Sequence, residues 1–190
     1  TLFRSVYLKL HNRTDGYHEK NLAYIEDVAN FLNIKYHVLD LADKFTAEIY
    51  DYFIDSYLQG TTPNPCVKCN KQIKFGSMLK FAKEHGADFL ATGHYAKIRQ
   101  ENNRYIVSKG LDDTKDQSYV LWGLTQESLK RTIFPLGAYR KSEIKKMAED
   151  SGYIDLANKS ESYEICFVPD NDYRAFLKHK VEGLEEKVNG

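Results

Sequence analysis

Residues 6–58 read VYLKLHNRTDGYHEKNLAYIEDVANFLNIKYHVLDLADKFTAEIYDYFIDSYL, and the period of their apolar residues alternates along the run. Val6–Leu10 (VYLKL) and Ile34–Leu41 (IKYHVLDL) are short and carry β-branched and aromatic residues, the pattern of strands. Between them Leu22, Ile25, Val28, Ala29 and Leu32 fall at helical spacing. After them Phe45, Ile49, Phe53 and Tyr57 do the same, and Gly60 is a fitting stop. The order strand–helix–strand–helix predicts an α/β domain with a parallel sheet.

Downstream, Thr61–Asn70 (TTPNPCVKCN) breaks the pattern. Its two prolines predict a shaped loop rather than a helix. Lys71–His85 then returns to helical spacing and ends at Gly86. Asp88–Thr92 (DFLAT) reads as a third strand, with Gly93-His94-Tyr95 just past its carboxyl end, the edge where open α/β sheets bind ligands. Ala96–Arg99 and Tyr105–Lys109 alternate around Glu101-Asn102-Asn103 and predict a hairpin. Beyond a polar loop at Asp112–Gln117, helices are expected over Gln117–Leu124, Arg140–Asp150 and Asp170–Lys180, with a loop over Asn158–Ser162 and a strand at Tyr163–Val168.

Composition bounds the function. The chain has 190 residues, 27 Lys+Arg against 27 Asp+Glu, 42% hydrophobic and 28% charged residues. That excludes a collagenous, low-complexity or obligately disordered chain. A net charge of zero excludes nucleic-acid binding by bulk charge alone, though not through a local basic face. No apolar run approaches the ~20 residues that span a bilayer, and Thr1–Ser5 does not start a signal peptide. The chain lacks an initiator Met, so a fragment is expected. Three cysteines, an odd number, point to a reducing, cytoplasmic setting.

Cys66-x-x-Cys69 runs from the proline-bounded loop into the expected helix. Cys69 near a helix N-terminus, beside Lys68 and Lys71, would have a lowered thiol pKa and suit a nucleophile or metal ligand. A redox pair or half a zinc site would use the same spacing. Cys166 lies between Ile165 and Phe167, where a small buried side chain is the plain alternative. Five lysines and no acid lie between Lys68 and Lys83, and Lys130-Arg131, Arg140-Lys141 and Lys145-Lys146 form a second basic zone. Both can meet phosphate or merely face solvent. Lys115-Asp116-Gln117-Ser118 can read a polar ligand or cap the next helix.

Five stretches occur in order: TTPNPCVKCNKQIKFG, GADFLATGHYAKI, GLDDTKDQSYVLWGL, FPLGAYRKSEIKKMAE and SESYEICFV. Together they resemble the tRNA-specific 2-thiouridylase (tRNA uridine 2-sulfurtransferase) family, from about Val6 to Phe176. The resemblance implies a partial PP-loop (adenine nucleotide alpha hydrolase-like) α/β parallel-sheet domain over 1–168, its first strand missing. The beginning of a small central domain would follow at 169–190. It implies a PP-loop ATP pyrophosphatase using ATP and Mg²⁺. The substrate would be the wobble uridine of tRNAs for Lys, Glu and Gln. The uracil O2 is adenylated, and a persulfide sulfur replaces it. A cysteine desulfurase or relay protein would donate the sulfur, with no membrane involved.

Residue by residue, Cys69 matches the family's nucleophile and Cys166 its persulfide carrier, the two forming a disulfide as sulfur is delivered. Asn64, Pro65 and Cys66 match a stretch that contacts the target base, and Lys115, Asp116 and Gln117 another that contacts tRNA. Gly93 matches an ATP-contacting glycine, and Leu8 an apolar residue against the adenine. Two features depart from the pattern. The SGGxDS PP-loop and the C-terminal β-barrel are absent, so this chain alone is expected not to adenylate uridine. Many members have Asp where this chain has Cys66. Three thiols at one site offer a second route, a 4Fe–4S cluster on Cys66, Cys69 and Cys166 whose open iron holds sulfur. Another PP-loop adenylating enzyme, such as a GMP or argininosuccinate synthetase, would share the core without needing the cysteines. A non-enzymatic RNA-binding module would leave GADFLATGHY unexplained.

Overall fold

The structure, a computed structural model, describes residues 3–12, 14–158, 165–168 and 172–181; at 155 and 156 only the backbone is described. The chain divides into two compact units, Thr1–Asp88 and Phe89–Gly190.

In the first unit β1 (Arg4–Lys9) and β2 (Lys35–Asp40) pair in parallel, Arg4 opposite Lys35 through Lys9 opposite Asp40. The crossover is α1 (Tyr17–Phe31). It ends where Asn33 turns left-handed at φ 49°, with the Asn33 and Ile34 amides donating back to the Asn30 and Ala29 carbonyls. Asn tolerates that conformation better than most residues. Next comes one continuous helical run, α2 (Ala42–Phe45), a wider π-helical stretch (Thr46–Tyr50) and α3 (Asp51–Leu58). Gly60 closes it at φ 75°.

The second helical run corrects the sequence reading. Thr61–Asn70 is not a loop throughout: helix α4 (Pro65–Cys69) begins inside it. Pro65 sits at the first helical position, where its fixed φ fits and its missing N–H costs nothing. Asn64 caps the end, its Oδ1 accepting the Val67 N–H at 3.2 Å. The run continues as a π-helical stretch (Asn70–Met78) and α5 (Leu79–Glu84). The wider turns carry no separate signature, because apolar residues three and four apart fit both geometries. Phe53, Ile49 and Ile73 are 0% exposed and anchor this core. Burying side chains of that size stabilises the fold by about 1.5–3 kcal/mol each.

In the second unit β3 (Leu90–Ala91) pairs in parallel with β6 (Thr132–Ile133), a strand too short to announce itself in the sequence. The expected hairpin forms from β4 (Ala96–Glu101) and β5 (Arg104–Lys109), antiparallel, turning through Asn102 and Asn103, both left-handed. Gln117–Leu124 yields only a 3₁₀ turn at Ser118–Val120. Then follow α6 (Gln126–Lys130), α7 (Lys141–Asp150), α8 (Ile154–Asn158) and α9 (Tyr173–Lys180). The strand expected over Tyr163–Val168 is not seen at its described end: Ile165–Val168 is a turn in which the Val168 N–H donates to the Ile165 carbonyl at 2.9 Å. The expected loop at 159–162 and the start of the last helix at 170–171 lie outside the described residues.

Gly137 is required by space. A Cβ there would lie 1.8 Å from the Ala96 carbonyl oxygen. Gly137→Ala is therefore expected to destabilise the fold by roughly 2–3 kcal/mol or more, since backbone must move; a denaturation midpoint equal to wild type would contradict this packing. His37, on β2, offers a second test. Partial burial holds its imidazole below the ordinary 6.5, helped by His85, Arg4 and Lys35. The unfolded chain thus binds a proton before the native state does, and stability falls as pH drops from 6.5 through the lower native value. His37→Phe should flatten the stability–pH slope below 6.5, read by urea melts at several pH values.

Candidate functional site

The edge of β1 holds the first group of candidates. Leu8 is half-buried on β1, opposite Leu39. Beside it the loop leaving β1 is tied down by the buried His18 of α1. His18 Nε2 donates to the His11 carbonyl at 2.6 Å, which leaves Nδ1 to accept the Tyr7 hydroxyl at 2.7 Å. Lys9 Nζ donates to Asp40 at 2.7 Å across the two strand ends.

The cysteine pair lies on the helical run that starts at Pro65. Cys69 is buried a full turn inside it, not at its N-terminus as the loop reading required. Cys66 is the residue in the first turn, and it is exposed. Although the residue is exposed, partial burial of its sulfur raises the thiol pKa from the ordinary 9.0, against the pull of the Lys74 ammonium. Asn64 is exposed and uses its amide oxygen as the cap, Pro65 is buried, and Cys66 is exposed. Lys68 lies over the Tyr52 ring, 4.1 Å from its centroid.

In the second unit Gly93 follows β3 and is exposed. A Cβ on it would meet only Leu136 Cδ1, at an ordinary 3.6 Å, and its φ is not in the left-handed range. Neither packing nor backbone explains a glycine here. His94 is buried, its Nδ1 2.8 Å from the Thr92 hydroxyl and its ring edge-on to Phe134.

Asp116 and Gln117 are engaged within the protein. The Gln117 N–H donates to the Tyr95 carbonyl at 2.9 Å, and Gln117 Oε1 accepts the Tyr95 N–H at 3.1 Å. Asp116 accepts from the Gly110 amide at 3.1 Å and from the Ser118 hydroxyl at 2.7 Å. Burial alone would raise its carboxyl; the Ser118 hydroxyl and the Gly110 and Ser118 amides outweigh it and hold it below the usual range.

Asp112, read in the sequence only as part of a polar loop, is the residue whose importance was missed. It is buried, and its Oδ2 accepts the Lys141 N–H of α7 at 2.9 Å while Oδ1 takes the Thr114 amide and hydroxyl. Those bonds, the Lys141 amide foremost, hold its carboxyl below the usual range. The Asp-x-Thr turn was the available signal; the partner 29 residues away was not. Cys166 is exposed in the Ile165–Val168 turn rather than buried. Among the described residues no three His, Cys, Asp or Glu converge to hold a metal, and no helix is long and apolar enough to cross a membrane.

Parallel strand pairs accompanied by helices, in both units, define an α/β protein. A family model described as the tRNA methyl transferase HUP domain matches residues 3–170, and the chain belongs to that family. It is similar to tRNA-specific 2-thiouridylase MnmA 1 of Aliarcobacter butzleri, 63% identical over 165 residues, covering 86% of this chain and 47% of the relative. The Cytophaga hutchinsonii tRNA-specific 2-thiouridylase MnmA is 54% identical over 164 residues, 86% and 45% respectively. A Clostridium botulinum (strain Hall) MnmA 2 of the same name is 49% identical over 188 residues, 97% and 52%. The chain thus spans about half the length of the curated relatives it matches. The likeness expected from the five motifs is the one these names carry.

The Cys66 environment predicts a measurable lag. Alkylation by iodoacetamide, followed peptide by peptide, should show Cys66 titrating above the 9.0 of an unperturbed thiol. Half-maximal alkylation near neutral pH would mean that the helix N-terminus, not burial, controls this sulfur.

Proposed function

We propose that this chain is part of an enzyme that 2-thiolates the wobble uridine of tRNA at the expense of ATP. The carrying observation is that nearly the whole chain aligns with proteins named tRNA-specific 2-thiouridylases. Gly93 adds structural support: its open Cβ space leaves room for a nucleotide to approach the backbone. On this reading residues 1–168 belong to the catalytic domain and 169–190 begin the next.

Gly93 would lie against ATP, and half-buried Leu8 against its adenine. When bound, ATP supplies the adenylyl group that turns uracil O2 into a leaving group, with Mg²⁺ on its phosphates. Asn64, Pro65 and Cys66 would face the target base, and Lys115, Asp116 and Gln117 the tRNA. Since Asp116 and Gln117 are bound to Gly110, Ser118 and Tyr95, they would shape the backbone that meets tRNA more than reach for it.

Cys166 is the proposed sulfur carrier and its exposure suits loading by a donor protein, a cysteine desulfurase or relay. The terminal sulfur of its persulfide bonds to uracil carbon 2 as the C2–O2 bond breaks. The Cys69 thiolate then attacks Cys166 Sγ, breaking the S–S bond and leaving one sulfur on the base. The two cysteines lose two electrons to form a disulfide, and the transferred sulfur gains them. A 4Fe–4S cluster on Cys66, Cys69 and Cys166 is the second route that three thiols offer, and no step is assigned to it. tRNAs for Lys, Glu and Gln are the proposed substrates, and the cytoplasm the proposed setting.

The full-length protein tests this. Cys166→Ala should abolish thiolation while leaving tRNA-dependent ATP–pyrophosphate exchange. Cys69→Ala should trap the sulfur adduct without releasing product. Gly93→Ala should keep the wild-type melting temperature but raise KM for ATP about tenfold, about 1.4 kcal/mol of lost contact. Thiolation surviving both cysteine changes would instead indicate another adenylating chemistry. A fall in stability with unchanged KM would remove Gly93 from the nucleotide site.

A further inference from the structure

The segment after Gln117 carries two large rings that the fold does not use. Tyr119 is 65% exposed and Trp122, the single tryptophan of the chain, is 76% exposed. Between them Val120 and Leu121 are buried, so the short 3₁₀ turn points its apolar pair inward and both rings outward, three residues apart. Isolated exposed aromatics are ordinary, but two presented together from one tight turn are costly to leave in water.

The loop that leads into them is braced to a helix start that carries cations. Asp112 Oδ2 accepts the Lys141 N–H at 2.9 Å and the Leu111 N–H donates to the Gly137 carbonyl at 2.8 Å. These two bonds fasten the loop that leads into Tyr119 and Trp122 to the start of α7, where Arg140 and Lys141 stand. Lys145 and Lys146 follow on the same helix. Of the acids here, Asp112 and Asp116 engage their oxygens with amide and hydroxyl donors of the loop and of α7, and Glu143 accepts the Arg140 N–H at 2.6 Å. Lys141 also reaches over the Tyr95 ring, 5.5 Å from its centroid, and Tyr95 is the residue clamped by Gln117. Exposed rings on a loop braced to a basic helix start fit a ligand with flat faces and a charged backbone: nucleotides not engaged in pairing.

We propose that Tyr119 and Trp122 form a stacking platform for unpaired bases of the RNA substrate, with Arg140 and Lys141, held to the same loop through Asp112, meeting its phosphates. This rests on the tRNA reading above and names the part of tRNA that this face takes, a single-stranded loop rather than the helical stem. Stacking tolerates any base, so the platform supplies affinity and placement, not sequence choice.

The test uses the full-length protein, an anticodon stem-loop RNA with an unmodified wobble uridine, and a fully paired RNA hairpin stem as control. Binding of the stem-loop should quench an emission component that Trp122→Phe removes. Tyr119→Ala and Trp122→Ala should each weaken stem-loop binding about tenfold and leave the paired control unchanged. Tyr119→Phe and Trp122→Phe, which keep a ring, should retain the wild-type Kd. Lys141→Gln should weaken both RNAs and lower the salt slope by about 1. Tight stem-loop binding with Kd unmoved in both alanine variants would overturn the platform and leave the thiolation reading standing. So would a Trp122 shielded from iodide in the free protein, because the rings would then be covered by protein. Absence of any tRNA or stem-loop binding would overturn both.

Discussion

The reciprocal pair between Gln117 and Tyr95 is the constraint on which the second unit's functional face depends. One N–H of each residue is satisfied by the other, at 2.9 and 3.1 Å. This joins the backbone just past Gly93 to the loop that carries Lys115 and leads to Tyr119 and Trp122. A strand end beside a ligand site has carbonyls and amides that the sheet does not pair, and burying them unpaired would cost about 1–3 kcal/mol each. Gln117 supplies acceptor and donor at once. Asp116 accepts from Gly110 and Ser118, and Asp112 from Thr114 and the first amide of α7. Three neighbouring polar side chains thus work chiefly as internal braces, and they set where cations and rings face outward.

The first unit solves a different problem. A cysteine meant for nucleophilic work gains thiolate character from a helix end, yet the structure gives that end to Cys66 and buries Cys69 one turn deeper. Partial burial raises the Cys66 thiol pKa rather than lowering it. The helix that carries both is stiffened by the Asn64 cap and Pro65 and then widened through Asn70–Met78. π-helical stretches recur at functional sites because the inserted residue shifts every later side chain around the axis. Here Cys69 is the last residue before the widening and Ile73, 0% exposed, lies within it.

Local physics made much of this legible beforehand. β1, α1 and β2 follow from apolar period, and the hairpin from alternation around Asn102-Asn103. α7 follows from its apolar stripe, and Gly60 and Gly86 end helices as composition suggests. The motif order alone indicated the family. What failed locally failed for specific reasons. The prolines of TTPNPC were read as helix-breaking, but Pro65 falls at the one helical position that suits it. β6 is two residues long and exists through its pairing with β3. Ile165–Val168 has strand composition but closes into a turn.

By itself the sequence determined most of the helices and strands and the family they compose, because those properties reside in neighbours along the chain. Tertiary structure alone decided which polar groups are occupied and which are presented. Asp112 finds the Lys141 amide 29 residues away, a Cβ at Gly137 would collide with Ala96, and Tyr119 and Trp122 stay outside while Val120 and Leu121 go in. Each depends on partners brought together only by folding, where exclusion of water makes every buried donor and acceptor find a mate.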